Sequence, residues 1–134
     1  MNRTHLEGEA EKLTAQRGYT YYTGPEDGMG HTVRNYPAAW LAPPELHAVE
    51  GRTHGRATYD MTLHLLRPGA RISPAERRTA LAEMEAQMIE IFAELSLDER
   101  ILAVEGLSVR PRSFSLTPHG EISQTATARI VTWF

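Results

Sequence analysis

Cysteine is absent from the 134 residues, which removes disulfides, thiolate catalysis and cysteine-ligated zinc from the chemistry open to this chain. Lysine is nearly absent: of the 14 basic residues only Lys12 is not an arginine, against 17 acids and a net charge of −3. An overall basic, nucleic-acid-binding chain is not expected from that balance. No apolar run is long enough for a signal peptide or a membrane span, so a soluble intracellular protein is the expectation. Common catalytic signatures are missing too. No serine sits in a G-x-S-x-G elbow, and the six histidines form neither HExxH nor a helical His–His pair at i, i+4. The glycines between Gly24 and Gly30 lack the lysine and Ser/Thr of a phosphate loop and carry Glu26 and Asp27, which repel phosphate. No catalytic, cofactor-binding or metal-ligating residue is assigned from the sequence, and no enzyme activity is expected.

What is present centres on residues 56–95. Ala57, Tyr59, Met61, Leu63 and Leu65 alternate with Thr58, Asp60, Thr62 and His64, the pattern of a strand with one wet face. Arg67-Pro68-Gly69 stops it. Ser73-Pro74-Ala75-Glu76 then supplies an N-cap hydroxyl, a proline at the first helical position and a glutamate placed to close a capping box. Leu81, Met84, Met88, Ile91, Phe92 and Leu95 recur at helical steps with charge between them, so a helix about 30 Å long is predicted to lie across the sheet.

The remaining chain fits around that pair. Thr4-His5-Leu6-Glu7 reads as a capping box for a first helix ending near Gly18, and Tyr19–Thr23 reads as a strand. Gly24–Asn35 reads as a long, exposed, mobile loop. Tyr36–Ala42, bounded by Pro37 and Pro43-Pro44, reads as a strand with Trp40 in the core. Residues 45–55 form the wet end of a hairpin, and Ser96–Gly106 is predicted as a short capped helix. In Leu107–Leu116 the apolar parity changes, Leu107 and Val109 being odd and Phe114 and Leu116 even, and a bulge at Pro111 is expected to absorb it. After a turn at Thr117–Gly120, the last strand runs from Ile122 to Phe134. The sum is a single α+β domain, 1–134, in the order α-β-β-β-α-β-β with a short helix before the last two strands. Its sheet is mostly antiparallel with helices on one face.

Charge is unevenly spread. Acids dominate from Glu76 to Glu105, whereas Arg52, Arg56, Arg67 and Arg71 face only Asp60 in their stretch. Two unlike sides suit head-to-tail self-association, although a solvated helix face beside scattered arginines accounts for the same pattern. Candidate interface residues are Arg52, His54, Arg56, Asp60, Thr62 and His64 along the hairpin and wet face, with Trp133 as an aromatic for burial against a partner or for folding back on the sheet's own edge. A competing reading makes the chain a small ligand-binding or enzymatic domain. It would use a pocket between helix and sheet, or a metal held by His47 and His54 across the hairpin with His64 as third ligand.

Several stretches taken together, Thr4-His5-Leu6-Glu7, Tyr19-Thr20-Tyr21-Tyr22, Tyr36-Pro37-Ala38-Ala39, the alternating Ala57–Leu66 closing on Arg67-Pro68, the Ser73-started helix and Ala126–Phe134, give a chain that resembles the tail-terminator proteins of long-tailed bacteriophages and prophages. The resemblance spans nearly the whole chain through element order and length rather than one diagnostic motif. It implies a non-catalytic structural protein without cofactor whose partners are further copies of itself in a ring, usually a hexamer, and the tail-tube and head-completion proteins. Membranes and specific nucleic acid sequences are not among the implied partners. It also implies a place in the bacterial host's cytoplasm during assembly and in the virion tail afterwards.

Overall fold

The computed structural model describes residues 2–112 and 115–134. Two long helices lie on one face of a six-stranded sheet. In chain order the elements are α1 (Asn2–Ala15), β1 (Thr20–Thr23), a 3-10 turn (Glu26–Gly28), α2 (Met29–Thr32), β2 (Ala38–Leu41), β3 (Glu45–Gly51), β4 (Gly55–Arg67), α3 (Pro74–Leu95), β5 (Ile101–Pro111) and β6 (Ile122–Trp133). Strand order is β1-β2-β4-β6-β5, and β3 also pairs with β4. Every pairing is antiparallel except β1 with β2.

β4 is the spine. Its length lets β3 pair with Arg56–Asp60 and β2 with Leu63–Leu66 on the same edge, while β6 runs along the whole of the other. Its odd residues from Ala57 to Leu65 enter the main core with Leu6, Ala10 and Leu13 of α1 and Met84, Met88, Ile91, Phe92 and Leu95 of α3. The α3 start behaves as its sequence requires: Ser73 Oγ accepts from the Glu76 backbone N–H at 3.1 Å, and the Glu76 carboxylate accepts from Ser73 N–H. Arg67 ties the far end of β4 to α3, donating to Glu83 at 2.8 Å, to Gln87 at 2.9 Å and to the Tyr19 hydroxyl at 3.1 Å.

Four expectations change. Helix α1 is already formed at Asn2, so Thr4 lies exposed inside it rather than capping it. The segment 24–35 is not merely an exposed loop. Its turn and α2 bury Met29 and Val33, which join Ala38, Trp40 and Leu66 in a second core on the sheet face away from the long helices. The predicted helix after Ser96 is instead the run-up to β5. Leu97 N–H and Asp98 N–H still bond to Glu94 and Leu95 carbonyls, and Asp98 Oδ1 accepts from Arg100 N–H, so the capping-type residues are used to end α3. Pairing with β6 then takes Ile101 onward. Finally, the register of β5 shifts between Ile101 and Ala103 and again between Glu105 and Ser108, where Gly106 holds φ +63°, and Pro111 is simply the last strand residue. The parity assigned to Phe114 lies outside the described residues. No helix among the described residues is long and apolar enough to cross a membrane.

Candidate functional site

Because β4 side chains alternate, Arg56, Thr58, Asp60 and Thr62 leave the sheet on the face opposite the long helices. Beyond the reach of α2, this face stays open. Asp60 accepts from Arg129 Nε at 3.2 Å, and its other carboxylate oxygen lies 3.5 Å from His47 Nδ1, giving a small charged row across β3, β4 and β6. The bulge at Gly106 bows β5 beside it, and Asp60, Thr62, Glu105, Thr127 and Arg129 help to line a hollow of about 600 Å³.

At the end of the same face Arg56 sits opposite Trp133 in register, its guanidinium 5.9 Å from the indole centroid. Trp133 is 45% exposed, so this stacking covers part of the ring and leaves the rest to solvent. Arg52 and His54 are exposed in the adjoining turn. Six of the seven candidate interface residues therefore occupy one continuous region. The seventh, His64, does not.

His64 is completely buried, because Trp40 of β2, Thr125 of β6 and the Glu26 turn close over the inner half of β4's outer face. Its Nδ1 is 2.7 Å from Thr125 Oγ1, and Nε2 stands 3.4 Å from Glu26 Oε2, an ion-pair distance without a well-directed hydrogen bond. The metal reading fails with it. Asp60, beside His47, and His64 are four residues apart on one strand, roughly 13 Å, and His47, His54 and His64 are not among the described groups whose ligand atoms converge.

Burial pushes the His64 imidazole below its ordinary pKa. The Glu26 carboxylate pulls it partway back, and Arg112 pushes it down again. An imidazole so depressed takes up its proton at lower pH in the fold than in the unfolded chain, where uptake lies near pH 6.5. Stability therefore falls as pH drops below about 6.5 and is insensitive to this group above it. Urea melts at descending pH should show that loss, and His64→Gln should flatten the slope. An unchanged slope in the variant would assign the pH dependence to other groups.

Sequence reasoning missed the opposite side of the hairpin end. Leu46 and Val49 are 51% and 55% exposed and, with Phe134 at 47%, line a second hollow that reaches Asn2, Ala57 and Tyr59. Their spacing of three hides them from a period-two reading. The irregularity between Leu46 and Ala48 brings both to one side. The chain matches no protein-family model and no curated protein.

Proposed function

We propose that this chain is a structural tail protein of a long-tailed phage or prophage, a terminator whose copies close into a ring, six in the family it resembles, over the tail tube. The observation that carries the reading is the hairpin end. Leu46, Val49, Trp133 and Phe134 are all exposed there, with Arg52 and Arg56 at the rim. Large apolar groups gathered at one end of a domain mark a contact surface better than singly scattered ones do. The opposite charge lies elsewhere on the same molecule, on the exposed Glu85, Glu90, Glu94 and Glu99. Two unlike surfaces on one subunit favour heterologous contact, which closes into a ring when the rotation permits. In this role the protein works in the host cytoplasm during assembly and in the virion tail thereafter, between tail-tube and head-completion proteins.

Light scattering on the purified chain should report a ring-sized species that weakens with salt. Arg56→Glu combined with Trp133→Ala should cost about 2 kcal/mol or more at each contact, roughly a thirtyfold weaker association, while circular dichroism stays unchanged. A monomer at high concentration across salt conditions would overturn the reading. The hollow beside Asp60 and Arg129 supports the alternative of a small-ligand domain, for which a monomer stabilised by a polar small molecule is the expected result.

A further inference from the structure

His5 and Glu9 lie one helical turn apart on the same face of α1. Asp98 comes to meet them from the turn between α3 and β5, 93 residues from His5, with its Oδ1 2.9 Å from His5 Nε2. One ligand atom from each of the three lies within 4.8 Å of the others, and all three side chains are partly buried. From these positions we infer a binding site for a divalent transition metal of the zinc type, held by His5 Nε2, an Asp98 carboxylate oxygen and a Glu9 carboxylate oxygen.

The three side chains need little movement to take an ion. Two ligands with bonds of about 2.1 Å stand about 3.4 Å apart in a tetrahedral site, so His5 and Asp98, now at hydrogen-bond distance, have only to part by about half an ångström. The ion takes the place of the proton between them, and the neutral imidazole then carries its one proton on Nδ1. Glu9 has no part in that hydrogen bond, yet its carboxylate is turned to the same point. Its own ion pair, with Lys12 at 3.9 Å, is long and easily given up. Asp98 is held by the Arg100 backbone N–H at 2.9 Å, a support of the kind that orients a metal-bound carboxylate. A depression of about 400 Å³, lined in part by Glu9, Leu97 and Asp98, leaves room for water to complete the coordination shell. One imidazole with two carboxylates favours zinc or a neighbouring transition ion over magnesium or calcium, which take oxygen ligands.

Such an ion pins the first turns of α1 to the start of β5. Asn2 in the same turns donates to Thr132 Oγ1 at 2.9 Å and to the Trp133 carbonyl, and Arg3 donates to the Pro44 carbonyl. The site therefore stiffens the end of the sheet that carries the exposed apolar groups. It does not depend on the ring reading.

The test is calorimetric titration of chelator-treated protein with zinc at about pH 7.5, where the ligands are deprotonated, together with thermal melting. Binding of one equivalent with a raised melting temperature is expected. Glu9→Gln, which spares the His5–Asp98 contact, should weaken zinc at least about tenfold while leaving the metal-free melting temperature unchanged. His5→Gln should abolish binding. No binding up to about 1 mM zinc, or binding as strong in both variants as in the unaltered chain, would overturn the site; the second result would place the ion on exposed histidines elsewhere.

Discussion

Trp40→Ala is expected to cost about 3–5 kcal/mol, the range for emptying a buried aromatic site, against a total of about 5–15 kcal/mol for a domain of ordinary stability. Trp40 is 1% exposed and is the largest side chain of the second core. It stacks on Tyr22 with ring centroids 6.4 Å apart, and its indole N–H donates to the Gly24 carbonyl at 3.0 Å. Gly24 holds φ +145°, a backbone conformation that residues with a side chain rarely adopt. Removing the indole frees the turn and α2 that roof His64, so denaturant melts should show a large loss together with a weaker pH dependence. Trp40→Phe retains much of the volume and should lose less. If alanine costs under about 1 kcal/mol, the segment 24–35 does not belong to the cooperative structure.

Glu121→Ala should be the second severe change. This carboxylate is 3% exposed. It accepts from Leu116 N–H at 2.6 Å, from Thr117 N–H at 2.8 Å and from the Thr117 hydroxyl. Alanine leaves the two backbone donors without a partner, while the Thr117 hydroxyl keeps only the Tyr36 hydroxyl at 3.0 Å and the His119 backbone N–H. Bonds to a charged acceptor are worth about 1.5–3 kcal/mol each and do not add fully, so a loss of roughly 3 kcal/mol is expected. Glu121→Gln keeps one carbonyl oxygen and should fall between wild type and alanine. Equal melting of the glutamine and alanine variants would show that the negative charge, rather than the shape of the side chain, holds this turn.

The parts of the fold that could be read in the chain are those whose signals are local. The α3 cap and stripe sit within one continuous segment, and the alternation of β4 survives because only its inner end is covered on both faces. β5 could not be read in the same way. Ser96-Leu97-Asp98-Glu99 has the composition of a helix start, and only the pairing of Ile101–Pro111 with β6 decides otherwise. His64 illustrates the same point at a single residue. Its parity correctly gave its face, but Glu26 and Trp40 arrive from elsewhere in sequence to roof it. Of the candidate surface, the arginines and Trp133 were legible from charge and exposure rules. Leu46 and Val49 were concealed by an irregular register, and Asp98 is remote in sequence from His5.

β2 and β3 divide one edge of β4 between them, with Pro43-Pro44 at the handover. Half of the spine is roofed on both faces, and the other half carries a bare outer face. Amide hydrogens along this single strand should therefore exchange at graded rates, slowest at Leu63–Leu66 and fastest towards Gly55. The molecule is a cantilever, clamped at its inner end, whose free tip can adjust to a neighbour without loosening the anchorage.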